Sequence, residues 1–491
     1  MNNIINEVVS KSGIYLASMP KEQRKEIGQF FTSPETAVFM ASLFNNPNKN
    51  LRILDPGTGS GILSAAIVSK LQSENIDSIK LTCYETNSDV LPLLKENLEY
   101  LEKASLIPLE YEIIEENYIT SQKSEFKENA TTLKYDWVIG NPPYMKVSKD
   151  AEEAISMPEV CFGAPNLYFL FVSMSLFNLE SSGEMVYIIP RSWTSGAYFR
   201  NFREYLFNNG NLEQVHLFVS RTKVFEQESV LQETMIIKVQ KSAHQETIKI
   251  TTSNSNRDFA DIQTITMPFE IVVSGPEKYV YLVTTQDEEN VLKYFKQFKD
   301  TLPSIGLKMK TGITVDFRCR EYLRNTRDGD TVPLLYAQHI KGNRVVFPIG
   351  KEFEYITQER SGLLQRNKNY LFVKRFTTKE EKRRLQCGIY LKNTLPEYAF
   401  ISSQNKINFI ESTDRDLTEE EVYGLYVLFN STMYDKYYRI LNGSTQVNST
   451  EINSVPVPPL DTIREMGQLL INRSDLSVEL CDEILEMKTN E

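Results

Sequence analysis

Two segments of this chain carry residue types whose chemistry fits together. Asn141-Pro142-Pro143-Tyr144 follows the apolar stretch Tyr135-Asp136-Trp137-Val138-Ile139-Gly140. Upstream stands the turn Asp55-Pro56-Gly57-Thr58-Gly59-Ser60-Gly61. The asparagine loop suits a planar amino group whose lone pair is delocalised. Two acceptors aimed at its N–H bonds draw such a group toward tetrahedral geometry and free the lone pair for attack. The Asn141 side-chain oxygen and the Pro142 backbone oxygen can be those acceptors. The prolines stiffen the loop, and Tyr144 offers a ring on which a flat base can stack, worth roughly 1–3 kcal/mol. The catalytic work is then orientation and electrostatic fit, with no general base of unusual pKa.

The glycine turn suits a small nucleotide-like cofactor. Glycines let the backbone bend sharply and approach a ligand closely. The spacing departs from Gly-x-Gly-x-x-Gly, since position 62 is Ile, so a dinucleotide is disfavoured. Glu85 ends the next strand, where a carboxylate can bind both hydroxyls of a ribose. Further upstream, Gly28-Gln29-Phe30-Phe31-Thr32-Ser33-Pro34-Glu35 predicts a helix with Ser33 as N-cap, Pro34 at its first position and 36–44 following. Thr32 would sit just outside that helix.

Alternating elements must position these loops. Strands are expected at 51–54, 79–84, 109–115, 135–140, 184–190 and 235–239, and helices at 62–71, 90–101 and 166–178. The rhythm predicts an α/β, Rossmann-like domain with a mostly parallel sheet. Both signature loops follow strands, so both belong to the carboxyl edge, where such sheets bind ligands. Residues 1–28 are expected to be a polar N-terminal segment, with a solvated helix at 21–26. Residues 29–241 are the catalytic domain and the Ser/Thr/Asn-rich stretch 242–261 a linker. Residues 262–460 form an α+β domain, and 461–491 a closing helix.

Composition narrows the class. The 491 residues suffice for two or three domains. The net charge of −11 argues against binding nucleic acid by bulk charge but permits a local basic cleft. Five scattered cysteines point to a reducing compartment, with neither disulfides nor a metal site. No signal peptide is expected. The longest apolar run, 167–179, is shorter than the roughly 20 residues that span a bilayer. A cytoplasmic protein without membrane contact is expected.

Together these residues resemble the gamma-class adenine-N6 DNA methyltransferases of bacterial type II restriction–modification systems. The order matches: Phe31-Thr32-x-Pro34, the glycine turn, Asn-Pro-Pro-Tyr, then a C-terminal target-recognition domain. The resemblance implies S-adenosylmethionine as cofactor and an adenine flipped out of double-stranded DNA. It implies Thr32, Asp55, Gly57, Gly59, Glu85, Asn141 and Pro143 around the cofactor. Asn141, Pro142 and Tyr144 would hold the adenine, and Phe225 would be a second aromatic on the flipped base. Where the family has Asp after the third strand this chain has Asn117, whose amide oxygen can still accept a hydrogen bond.

In the C-terminal part, Lys374, Arg375, Arg383 and Arg384, with Phe372 and Phe376, suit phosphate contacts. Gln446 and Asn448 are candidates to read adenine edges. A monomer is expected, with any cognate endonuclease acting separately. A type I modification subunit fits less well, because little chain precedes the Phe-Thr-x-Pro segment. Three alternatives stand beside this reading. A protein-glutamine N5 methyltransferase also carries Asn-Pro-Pro-Tyr but is shorter. A catalytically silent DNA-binding relative would show damage in one of the two loops. Cytosine-N4 chemistry more often has Ser where Asn141 stands.

Overall fold

The computed structural model describes residues 3–18, 20, 32–45, 47–132, 134–218, 234–241, 246–378, 381–442, 446–473 and 475–489. The chain divides into two compact units, Met1–Thr284 and Thr285–Glu491.

The first unit is built on one sheet. Its strands are β1 (Asn50–Pro56), β2 (Ser78–Tyr84), β3 (Leu109–Ile114), β4 (Tyr135–Gly140), β5 (Leu179–Pro190), β6 (Asn211–Phe218), β7 (Thr234–Gln240), β8 (Thr247–Ser253) and β9 (Gln263–Pro268). Their spatial order is 3-2-1-4-5-7-6-8-9. Strands β1 to β5 pair in parallel, and β7 runs antiparallel between β5 and β6. All six residues of β4 are buried, as a central parallel strand covered on both faces requires. The order reverses between β1 and β4, which makes the crevice at their carboxyl ends the expected ligand site.

Helices α1 (Asn3–Ser18), α2 (Pro34–Ser42), α3 (Ile62–Leu71) and α4 (Leu91–Ala104) follow in chain order, with α5 (Leu167–Asn178) and α6 (Arg200–Asn209) later. Helix α3 is apolar on nearly every side and is buried by its neighbours. Helix α4 buries one face through Leu91, Leu94, Leu98 and Leu101, a helical spacing.

Three expectations are corrected. The N-terminal segment is not simply polar: α1 buries Ile4, Ile5 and Val8 in the core shared with α3. The expected solvated helix at 21–26 lies outside the described residues. The expected linker carries a strand of the main sheet: β8 pairs with β6, and β9, which follows the linker, pairs with β8. Ile248 and Ile250 are buried, Thr251 and Ser253 are buried against His216, and Thr247 and Lys249 are exposed. The first compact unit therefore runs to Thr284, past the expected boundary at 241, and the expected closing helix is two helices, Leu460–Arg473 and Val478–Thr489.

The second unit holds a six-stranded and a five-stranded sheet of short strands, with helices after them. Helix Glu419–Asn430 meets Leu460–Arg473 at backbone contact. A Cβ on Gly424 would lie 1.8 Å from the Ile463 carbonyl oxygen, and one on Gly467 would lie 1.8 Å from that of Glu420. Neither obstacle is a flexible side chain, so the helices would have to separate. Gly467→Ala is expected to destabilise this unit by about 3 kcal/mol. Urea unfolding followed by circular dichroism checks it, and an unchanged midpoint contradicts the packing argument.

Candidate functional site

The loop after β1 is held from several sides. Gly57, Gly59 and Gly61 have φ of 73°, 59° and 82°, the left-handed region that favours glycine. The N–H groups of Gly57 and Thr58 both donate to the Tyr84 carbonyl at 2.9 Å, tying the loop to the end of β2. Buried Asn97 on α4 donates to the Ser60 carbonyl at 2.7 Å. Glu85, just past β2, accepts from Gly59 N–H on one oxygen and Asn87 N–H on the other, each at 2.8 Å.

Asp55 is fully buried. One carboxyl oxygen accepts from the Ser64 hydroxyl at 2.7 Å, while the other has no partner among the described residues. Burial pushes its pKa up to about 7, the Glu85 charge adds to this, and the Ser64 bond opposes it. A buried carboxyl oxygen without a donor, beside an open-cornered glycine loop, fits a cofactor with cationic and N–H groups.

The loop after β4 leaves the same edge. β1 and β4 are neighbours, with Ile53 opposite Trp137 and Leu54 opposite Val138, a register that carries Asn141 to the level of Gly57, two residues beyond Asp55, on the same edge. Gly140 is required there, since a Cβ would come within 2.5 Å of the Tyr187 ring. Asn141 donates its Nδ2–H to the Thr32 hydroxyl at 3.0 Å, and its Oδ1 accepts from the Tyr144 hydroxyl at 2.6 Å. Thr32 thus links the segment before α2 to the asparagine loop. The Ser33 side chain accepts from Thr36 N–H, confirming the expected cap. Pro142 is buried and Pro143 half-buried.

Several expected residues stand differently. Tyr144 is not an open ring: it is 8% exposed, its hydroxyl also lies 3.0 Å from the Ile188 carbonyl, and its ring meets Tyr168 edge-on. Burial raises its pKa above the phenol range. Asn117 uses its amide oxygen to accept from Ile119 and Thr120 N–H, closing its own turn, and donates to Glu153 at 3.0 Å. Its expected role as a spare acceptor is therefore not what the structure presents. The neighbouring Tyr118, which sequence reasoning missed, is the buried aromatic here, packed on Tyr84 and Phe171. Only its place after β3 could have signalled it. Phe225 lies outside the described residues.

In the second unit, Lys374 and Arg375 are half-exposed and Phe376 is exposed, but Phe372 is core. Arg375 donates to the Asn405 carbonyl at 3.0 Å and to Gln446 Oε1 at 3.3 Å. Arg384 is no surface cation: it is fully buried, its guanidinium packs 5.6 Å from the Tyr438 ring centre, and burial lowers its pKa. Its backbone N–H donates to Asp435 at 2.7 Å and its Nε–H to the Thr377 hydroxyl at 3.3 Å. Arg383 donates to the Ser431 carbonyl at 2.9 Å, and Asn448 donates to Glu451 at 3.1 Å.

Comparison with known proteins places the chain in a family. Residues 66–225 match the family described as Eco57I restriction-modification methylase. Over 99% of its length and 99% of the relative's, the chain is 33% identical to type II methyltransferase M.BsuBI of Bacillus subtilis. It is 30% identical to type II methyltransferase M.PstI of Providencia stuartii, over 92% of this chain and 90% of that one. A release factor glutamine methyltransferase of Fusobacterium nucleatum is 34% identical, but over only 22% of this chain and 25% of its own. The end-to-end likeness thus separates the chain from the shorter glutamine-modifying alternative. The chain belongs to the type II DNA methyltransferases of restriction–modification systems, and S-adenosylmethionine is the cofactor that this membership implies.

Proposed function

We propose that this methyltransferase is a gamma-class enzyme that methylates the N6 amino group of an adenine turned out of double-stranded DNA. It would act as a cytoplasmic monomer and protect DNA from a separate cognate endonuclease. One observation carries the reading: Asn141-Pro142-Pro143-Tyr144 leaves β4 on the same edge as the glycine loop, at the point where strand order reverses.

Asp55, with its unpartnered oxygen, would hold the cofactor's positively charged end, with Gly57 and Gly59 beneath it and Glu85 at its hydroxyls. Bound S-adenosylmethionine supplies a methyl group on a cationic sulfur. Asn141 Oδ1 and the Pro142 carbonyl would accept the two N–H bonds of the adenine amine, leaving its lone pair free. The buried ring of Tyr144 must turn outward to stack on the base, exchanging its hydroxyl bond to Asn141 for the amine. Once Tyr144 has turned, the stiff proline loop would keep these acceptors aimed at the amine. Lys374, Arg375 and exposed Phe376 would contribute to DNA contact from the second unit, the proposed recognition domain.

DNA from cells expressing the chain, sequenced with modified-base detection, is expected to carry N6-methyladenine at one short motif. N4-methylcytosine at that motif, or no modification, would overturn the proposal.

A further inference from the structure

Turning a base out of a duplex leaves a gap, and the loss of stacking on both sides of it opposes the flipped state. A flat side chain that enters the gap restores stacking and offsets that cost. Such a group belongs near the loop that receives the base, on a fixed backbone, with its ring in solvent when DNA is absent.

Two connections leave the carboxyl edge beside the asparagine loop, β4 to α5 and β5 to α6. Among the described residues of the first unit, seven large hydrophobic side chains are exposed, and four of them, Met145, Ile155, Phe162 and Tyr198, stand in these two connections. Single exposed apolar residues need no explanation, but a concentration beside a site does. Tyr198 is the most open of the aromatic ones, 63% exposed.

The backbone around Tyr198 is held. Arg203 donates to the Trp193 and Gly196 carbonyls at 2.9 Å each, pinning the turn before it. Asn201 donates to the Cys161 carbonyl at 2.9 Å, which joins the two connections. A Cβ on Gly163 would lie 3.3 and 3.4 Å from two carbons of the Tyr198 ring, so the ring rests against that glycine, and exposed Phe162 precedes it. The next residue, Phe199, is buried with its ring 5.9 Å from that of Tyr168, and Tyr168 meets Tyr144 edge-on at 6.4 Å. A chain of ring contacts thus ties this turn to the target-base loop. Charge does not explain the surface: Lys146 and Lys149 are exposed here, but so are Asp150 and Glu152. Aromatic area is what it offers, and a base face is what such area recognises.

We infer that Tyr198 is a wedge: its ring enters the gap left by the target adenine and stacks on the flanking bases, with Phe162 beside it. The inference rests on the base-flipping reading proposed above. It gives the catalytic unit its own means of holding the duplex open.

The test uses the full-length enzyme with saturating S-adenosylmethionine and a saturating duplex carrying its methylation motif. The target adenine is either paired with thymine or set opposite an abasic site, where extrusion is easier with or without a wedge. Tyr198→Ala is expected to slow single-turnover methylation of the paired duplex about 30-fold, and of the abasic-opposed duplex by less than about 3-fold. Tyr198→Phe keeps the ring face and should stay within about 2-fold of wild type on both. An equal loss on the two duplexes, or no loss on the paired one, would overturn the inference. Both duplexes are compared on one preparation, so a lower folded fraction cannot imitate the difference. If the wild type methylates adenine in neither duplex, the base-flipping reading fails first and the wedge with it.

Discussion

Asn141→Ala is expected to reduce single-turnover methylation by at least about 10³-fold while S-adenosylhomocysteine binds within about 3-fold of wild type. The asymmetry follows from position. Asn141 ends β4 and reaches Thr32 and Tyr144, whereas the glycine loop is held by Tyr84, Glu85 and Asn97. Removing the amide takes an acceptor from the amine without loosening the cofactor loop. Stability should fall by only about 1 kcal/mol, since Tyr144 keeps the Ile188 carbonyl. Asn141→Asp keeps oxygen acceptors and should retain more activity than the alanine variant. Equal methylation by the alanine variant and wild type would remove Asn141 from the chemistry. A matching loss of nucleoside binding would instead make it part of the cofactor pocket.

What the sequence disclosed, and what it hid, divides along a physical line. Helix α3 was expected at its observed bounds, because a continuous Ala- and Leu-rich run between a glycine turn and a polar stretch has few other solutions. The shared edge of the two loops was also legible, since a loop that follows a parallel strand must leave at the carboxyl end. Strand β8 was hidden because its solvated face is Thr and Lys, so composition outweighed the alternation of Ile248 and Ile250. Arg384 was misread because charge predicts exposure only on average, and it packs among groups remote in sequence, Asp435 and Tyr438. Asn117 and Tyr144 were assigned as available groups, yet each makes a local bond that residue type does not announce. Sequence thus placed the site-forming loops, while hydrogen-bond partners required three-dimensional neighbours.

Asp55→Asn is expected to weaken S-adenosylhomocysteine binding by about 100-fold and, at pH 8, to stabilise the ligand-free enzyme. The two effects have one cause. Asp55 lies fully buried with one oxygen unpartnered among the described residues, and burial lifts its pKa from 3.8 to about 7. The carboxyl therefore holds its proton more tightly folded than unfolded. Its contribution to stability is complete below about pH 4 and is lost as pH rises through about 7. The amide cannot ionise, so its gain over the wild type should grow from about pH 4, level off above about 7, and reach about 1–3 kcal/mol. That ceiling is set low because the new amide N–H has no acceptor at hand. Ser64 can still donate to the remaining oxygen. Wild-type affinity for the nucleoside should rise with pH through about 7 as the carboxylate forms, and the variant's should stay flat. Differential scanning calorimetry and titration calorimetry at pH 5, 6, 7 and 8 would read both. A variant that is destabilised at pH 8, or that binds as tightly as wild type, would show that Asp55 serves the fold rather than the ligand. The expected opposite signs are the mark of a site where the protein carries strain for function, and no surface carboxylate would produce them.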